Sequence, residues 1–121
     1  MKILGIDDNI DINELLDTVL NGSGHDFIYV KNGIEGLKLI HEKKFDIVLL
    51  DLAMPEFSGF DVINSLLKDG LLTKQKIILF TASSVLDSEI EELIKKGVHS
   101  CIRKPVDIDL LLEKLEQSQQ V

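Results

Sequence analysis

A single α/β domain with a doubly wound parallel sheet is the fold this 121-residue sequence predicts. Short apolar runs alternate with amphipathic stretches from one end to the other, giving five strand-helix pairs. Two of the runs, Ile47-Val48-Leu49-Leu50 and Ile77-Ile78-Leu79-Phe80, are apolar at consecutive positions, as strands covered by helices on both faces must be. The length suits one domain, and 45% hydrophobic with 28% charged residues and only two prolines argues against disordered, collagenous and coiled-coil chains.

The first strand is expected over Ile3 to Asp7, where Gly5 marks the close approach of a neighbouring element. Ile12, Leu15, Leu16, Val19 and Leu20 then recur at helical spacing, with Asp11 and Glu14 in the pattern of a capping box. Phe27 to Val30 is the second strand, and Ile34, Leu37 and Ile40 mark the second helix. Asp46 to Asp51 forms the third strand, followed by a stripe of Val62, Ile63, Leu66 and Leu67. Lys76 to Thr81 is the fourth; Leu86, Ile90, Leu93 and Ile94 follow, opened by Ser84 with Asp87 and closed by Lys95-Lys96-Gly97. Ser100 to Arg103 is the fifth strand, and Ile108, Leu111, Leu112 and Leu115 mark the last helix. Residues 117–121 are polar and unpatterned, as a fraying end or the start of a linker would be.

Thirteen Lys and Arg against twenty-one Asp and Glu give a net charge of -8, which repels phosphate backbones and anionic lipid. No basic cluster reverses that field, so direct nucleic-acid binding is disfavoured. Cys101 is the one cysteine and cannot form an internal disulfide. Apolar runs such as Ile47 to Leu50 fall far short of the roughly 20 residues a membrane span needs, and the first residues do not read as a signal peptide. A soluble, cytoplasmic protein that does not engage membranes is expected.

In an open parallel sheet, ligands collect beyond the carboxyl ends of the strands. Asp7 and Asp8 close the first strand, Asp51 the third, Thr81 the fourth and Lys104 the fifth. Three carboxylates and one ammonium leave a local charge of -2. Like charges so close raise one another's pKa unless a cation intervenes. The available donors are oxygens, since His25, His41 and His99 lie away from these strand ends, which favours Mg²⁺ over Zn²⁺.

Asp7-Asp8, Asp51-Leu52-Ala53-Met54-Pro55 with Gly59, Thr81-Ala82 and Lys104-Pro105, in that order, resemble the receiver domains of two-component response regulators, and the resemblance covers essentially the whole chain. It implies a flavodoxin-like strand order 2-1-3-4-5, five helices on the two faces, and a switch point between strands 1 and 3. It also implies that Asp51 accepts a phosphoryl group from a sensor histidine kinase or phosphotransfer protein. Asp7, Asp8, the Asp51 carboxylate and the Ala53 backbone carbonyl would bind Mg²⁺, with Mn²⁺ as a substitute, while Thr81 and Lys104 contact the phosphoryl oxygens. A cis Lys104-Pro105 bond belongs to the same pattern.

In this family, movement of the threonine is coupled to an aromatic residue on the fifth strand, remodelling the face of helix 4, strand 5 and helix 5 that meets a downstream protein. The matching switch positions here are Thr81 and Cys101, so the aromatic half is replaced by a small side chain. Ala53 and Ser83 match positions that tune hydrolysis of the phosphoaspartate, and Ala53 offers no hydrogen bond to an attacking water, which predicts a long-lived phosphoryl group. The expected activity is that of a signalling switch, monomeric or dimerising on phosphorylation. Its only catalysis would be its own phosphoryl transfer and autodephosphorylation.

Taken singly, these residues have plainer readings: Asp7-Asp8 as a cap, Asp51 and Thr81 as strand ends, Lys104 as a solvated lysine. Cys101 reads as a small core residue, the histidines as surface or packing residues, and Phe27, Phe45, Phe57, Phe60 and Phe80 as packing. The alternative function is a Mg²⁺-dependent phosphatase or phosphotransferase with an aspartate nucleophile, as in haloacid-dehalogenase-like proteins. Those carry a second acid two positions after the nucleophile, where this sequence has Ala53, together with a cap domain for which the chain leaves no space. A flavodoxin-like cofactor binder is disfavoured because an acidic site repels a flavin phosphate and no phosphate loop follows the first strand.

Overall fold

The computed structural model describes residues 1–82, 84–105 and 107–119. Ser83, assigned above to tuning hydrolysis, lies outside the described residues, as do Val106, Gln120 and Val121. Strands and helices alternate as β1 (Lys2–Ile6), α1 (Ile10–Gly22), β2 (Asp26–Val30), α2 (Gly33–Glu42), β3 (Ile47–Leu50), α3 (Gly59–Lys68), β4 (Ile77–Ala82), α4 (Asp87–Lys96), β5 (Ser100–Lys104) and α5 (Ile108–Gln117). The sheet order is β2-β1-β3-β4-β5, with every pair parallel. Fold and order agree with the expectation, and each predicted strand overlaps an observed one to within one or two residues at its ends.

The side-chain period of a strand divides the core into two layers. Leu4, Ile6, Val48, Leu50, Ile77 and Leu79 point to one face and pack under Ile40 of α2, Ile63 and Leu66 of α3, and Ile90 and Leu93 of α4. Ile3, Ile47, Leu49, Ile78 and Phe80 point to the other and pack under Leu16 and Leu20 of α1 and Leu111 and Leu115 of α5. Burial on both faces explains why β3 and β4 contain no polar residue before their carboxyl ends. Gly5 does mark a close approach: a Cβ there would lie 2.7 Å from the Phe27 ring.

Two caps differ from the sequence reading. The N-cap of α1 is Asn9, whose side-chain oxygen accepts from the backbone N–H groups of Asp11 and Ile12, so Asp11 sits two residues too far in to cap. At α4 the N-cap is Leu86, without a side-chain cap, and Asp87 pairs with Arg103 instead of closing a box with Ser84. Gly97 ends α4 at φ +132°, as the Lys-Lys-Gly sequence suggests. At the polar tail, Gln117 completes α5, and Ser118 is buried with its carbonyl accepting from the Lys76 ammonium. Ile34, Leu15 and Leu86, which fit the apolar stripes, are exposed. Among the described residues, no helix is long and apolar enough to cross a membrane.

Candidate functional site

β1 and β3 are neighbours in the sheet, with Ile6 opposite Leu50, so the residues just past them emerge side by side. Asp7 and Asp51 are both buried there, 4% and 6% exposed, while Asp8 faces solvent. Carboxylate oxygens of Asp7, Asp8 and Asp51 all lie within 4.8 Å of one another. The backbone fixes two of them: the Asp7 N–H donates to the Val30 carbonyl (3.2 Å) and the Asp51 N–H to the Ile6 carbonyl (3.0 Å).

From the other side, β4 and β5 bring Thr81 and Lys104 to the same crevice. The Thr81 hydroxyl, fully buried, donates to Oδ1 of Asp51 at 3.3 Å, and the Ala53 N–H reaches the same oxygen at 3.3 Å. Oδ2 of Asp51 faces the Lys104 ammonium at 3.7 Å, and that ammonium is bonded more tightly to Oδ2 of Asp7, at 2.6 Å. Lys104 also lies over the Phe80 ring, 5.1 Å from its centre, and its peptide bond to Pro105 is cis. The two oxygens of Asp51 thus differ: one accepts from a hydroxyl and an amide, the other meets a cation.

Burial holds the Asp51 carboxyl above the usual carboxylate range, and the charge of Asp7 adds to the rise. Lys104, the Ala53 N–H and the Thr81 hydroxyl pull the other way without cancelling it. The crevice is therefore short of positive charge. Its donors are all carboxylate oxygens, the set a hard divalent cation takes, so Asp7, Asp8 and Asp51 fit Mg²⁺.

Gly59 belongs to the site through its backbone. A Cβ at this position would stand 2.3 Å from the Asp51 carbonyl oxygen and 2.7 Å from the Leu52 Cα, so α3 starts directly against the loop that follows β3. Ser58 and Asp61 form a capping box there. Cys101 is half-buried at the edge of the α2-α3-α4 layer, not enclosed in the core as its size suggests, because the outermost strand leaves it covered from one side only. Burial raises its thiol pKa.

Several contributors were not read from the sequence. Asn13, fully buried, donates its side-chain amide to the Asp7 carbonyl at 2.7 Å, and the Asn9 N–H donates to Asp7 Oδ1 at 2.9 Å. Asn9 beside an acidic pair just before a helical stripe is a capping signal that could have been found; Asn13, inside the stripe, gives no such signal. Glu56, at φ +66°, turns the loop after β3 with the Phe57 N–H on the Pro55 carbonyl, and nothing about a glutamate announces that conformation.

Comparison with known proteins agrees with this geometry. Residues 3–116 match the family model of the response regulator receiver domain. The chain is 31% identical over 116 residues to protein PilH of Pseudomonas aeruginosa, covering 94% of this chain and 93% of that one. It is 31% identical over 118 residues to the transcriptional regulatory protein ZraR of Klebsiella oxytoca, covering 98% of this chain but only 26% of ZraR. Among solved structures, a response regulator receiver protein from Pseudomonas putida superposes with a TM-score of 0.85 at 27% identity, over 95% of this chain and 94% of that one. A 2-1-3-4-5 sheet with an acidic crevice at its carboxyl edge, matched to that family model over most of the chain, defines a receiver domain of the signalling-switch type. This chain belongs to the response regulator receiver domain family of two-component signalling.

Proposed function

We propose that Asp51 is the phosphoacceptor, taking its phosphoryl group from a histidine kinase or a phosphotransfer protein of the cytoplasm. The observation that carries this reading is the sharing of the Asp51 carboxylate between Thr81, on one oxygen, and Lys104, facing the other. Phosphoryl transfer asks the protein mainly for positioning and charge neutralisation. An Asp51 oxygen forms the O–P bond while the P–N bond of a phosphohistidine breaks, the electron pair leaving with the imidazole nitrogen. Asp7, Asp8, the Asp51 carboxylate and the Ala53 carbonyl would hold Mg²⁺, or Mn²⁺ in its place, and the bound ion would supply neutralisation of charge on the transferred group. Lys104 and Thr81 take further phosphoryl oxygens as an ammonium and a hydroxyl donor.

The output is altered binding of a downstream protein at the face built by α4, β5 and α5, with Thr81 and the Cys101 position as the switch. Hydrolysis of the phosphoaspartate is left to the domain itself and is slow, because Ala53 stands exposed beside the acceptor with no group to orient water. The test is incubation with an acyl phosphate and Mg²⁺, followed by intact-mass measurement of the wild type and Asp51→Asn. The wild type gains one phosphoryl mass and the variant gains none; equal labelling would overturn the assignment.

A further inference from the structure

Arg103 lies on β5 directly opposite Thr81 in the β4-β5 ladder, two residues beyond Cys101 and hence on the same face of the strand. Its guanidinium donates through Nη1 to the carbonyls of Ala82, at 3.2 Å, and Val85, and through Nη2 to Oδ1 of Asp87 at 2.6 Å. These acceptors belong to the end of β4, the connection after it and the first residue of α4. A guanidinium presents its donors in a rigid planar fork, so all three bonds form only when strand end and helix start keep one relative position. The helix has no side-chain cap of its own to set that position. One residue before Ala82, Thr81 turns its hydroxyl toward Asp51.

We propose that Arg103 is the positioning residue for Thr81, fixing the end of β4 so that the hydroxyl faces the acceptor and carrying the effect of a phosphoryl group at Asp51 to α4. The second half rests on the reading of Asp51 as acceptor; the first does not. Coupling between two sites is reciprocal, so a clamp that orders Thr81 through the α4 start also transmits a pull on Thr81 back to Asp87. Cys101, whose side chain ends one atom beyond Cβ, cannot span from β5 to that connection. The guanidinium two residues on can, and the contacts above show that it does.

The experiment has two arms on the full chain. In the unphosphorylated protein, Arg103→Ala shifts the NMR resonances of the Thr81 methyl and the Ala82 and Asp87 amides, and Arg103→Lys, which keeps the charge without the fork, gives a smaller shift in the same direction. An unmoved Thr81 methyl in both variants overturns the proposal. With an acyl phosphate and Mg²⁺, Arg103→Ala slows phosphorylation by about fivefold, Thr81→Ala does likewise, and the double variant is no slower than either, as expected of residues acting as a unit. A wild-type rate in Arg103→Ala, or losses that multiply, overturns it; should Arg103→Ala lose its fold, Arg103→Lys is read in the same cycle. Failure of the wild type to label would overturn the acceptor reading alone, and the Thr81 methyl would still decide the role of Arg103.

Discussion

The Lys104 ammonium is bonded to Asp7, at 2.6 Å, and stands off from Asp51 at 3.7 Å. It therefore holds one acid of the crevice and only partly screens the other. Removing one partner of such a pair leaves an uncompensated buried charge, so Lys104→Met is expected to cost about 3 kcal/mol of stability at neutral pH without a divalent ion. Magnesium should restore much of that loss and stabilise the variant more than the wild type. Urea unfolding of both proteins with and without Mg²⁺ checks this, and an equal gain for the two would show that ammonium and metal do not act on the same carboxylates.

Asp51 carries the opposite sign of effect. Burial, and then Asp7, raise its carboxyl above the ordinary value. A raised folded pKa contributes stability that is fully present below the unfolded value, about 3.9, and is lost as pH rises through the folded one. At neutral pH without metal the ionised Asp51 is a liability. Asp51→Asn should then melt at a higher temperature than the wild type, with the difference closing toward pH 3. Thermal melts of the two proteins across that range in the absence of divalent ions are the measurement.

What the sequence made legible follows from where its information is local. Consecutive apolar residues such as Ile77 to Phe80, in a run too short for a helix, read as a strand buried on both faces, and a polar residue ending such a run, Asp51 or Thr81, falls at the ligand edge. The crevice was therefore readable once the topology was known. Contacts that depend on side-chain reach were not: Arg103 to the β4-α4 connection, Gln75 bridging both backbone groups of Phe45, and Asn13 bonded to the Asp7 carbonyl all join positions whose pattern says only "polar". The cap expected at Ser84 fails for a related reason, since Asp87 is engaged by Arg103 from a distant strand, whereas the cap at Asn9 lies in a local pattern that the sequence does carry.

The slow hydrolysis expected of the phosphoaspartate depends on Ala53. Ala53 is exposed two residues past Asp51, and its methyl can neither orient nor activate a water. Ala53→Asn adds an amide that can do the first, and the phosphoryl half-life should shorten by about tenfold. Loss of the phosphoryl mass over time from purified phosphoprotein gives the number, and an unchanged half-life would remove Ala53 from the account.

Gly59→Ala tests how tightly α3 abuts the acceptor. The added methyl would meet the Asp51 carbonyl oxygen at 2.3 Å and the Leu52 Cα at 2.7 Å, both backbone atoms that cannot swing aside. Overpacking of this kind costs roughly 1 to 3 kcal/mol, and here it also displaces Asp51, so on the proposed acceptor role phosphorylation should fall with stability. Gly22→Ala is the control: its Cβ meets nothing within 4 Å at the end of α1, and it should stabilise by up to about 1 kcal/mol. Loss of stability in both variants would point to the backbone rather than to contact with the loop after β3.

His41 gives the chain a pH dependence remote from the crevice. Its Nδ1 lies 2.8 Å from the Leu37 carbonyl and its Nε2 3.0 Å from Oδ2 of Asp69, joining the end of α2 to the C-cap of α3. Both partners are acceptors, so both ring nitrogens donate only when the imidazole is protonated. The bond to Leu37, followed by the one to Asp69, accordingly raises the His41 pKa. A raised histidine pKa contributes stability that is fully present below the unfolded value, about 6.5, and is lost as pH climbs through the folded one. The pair is exposed on both sides, so its worth stays under about 1 kcal/mol. Wild-type stability should fall slightly between pH 6 and pH 8 relative to His41→Gln, about 6.5 marking the lower edge of the change. Urea midpoints at both pH values check it: parallel behaviour of the two proteins would show that the α2-α3 link does not depend on the imidazolium.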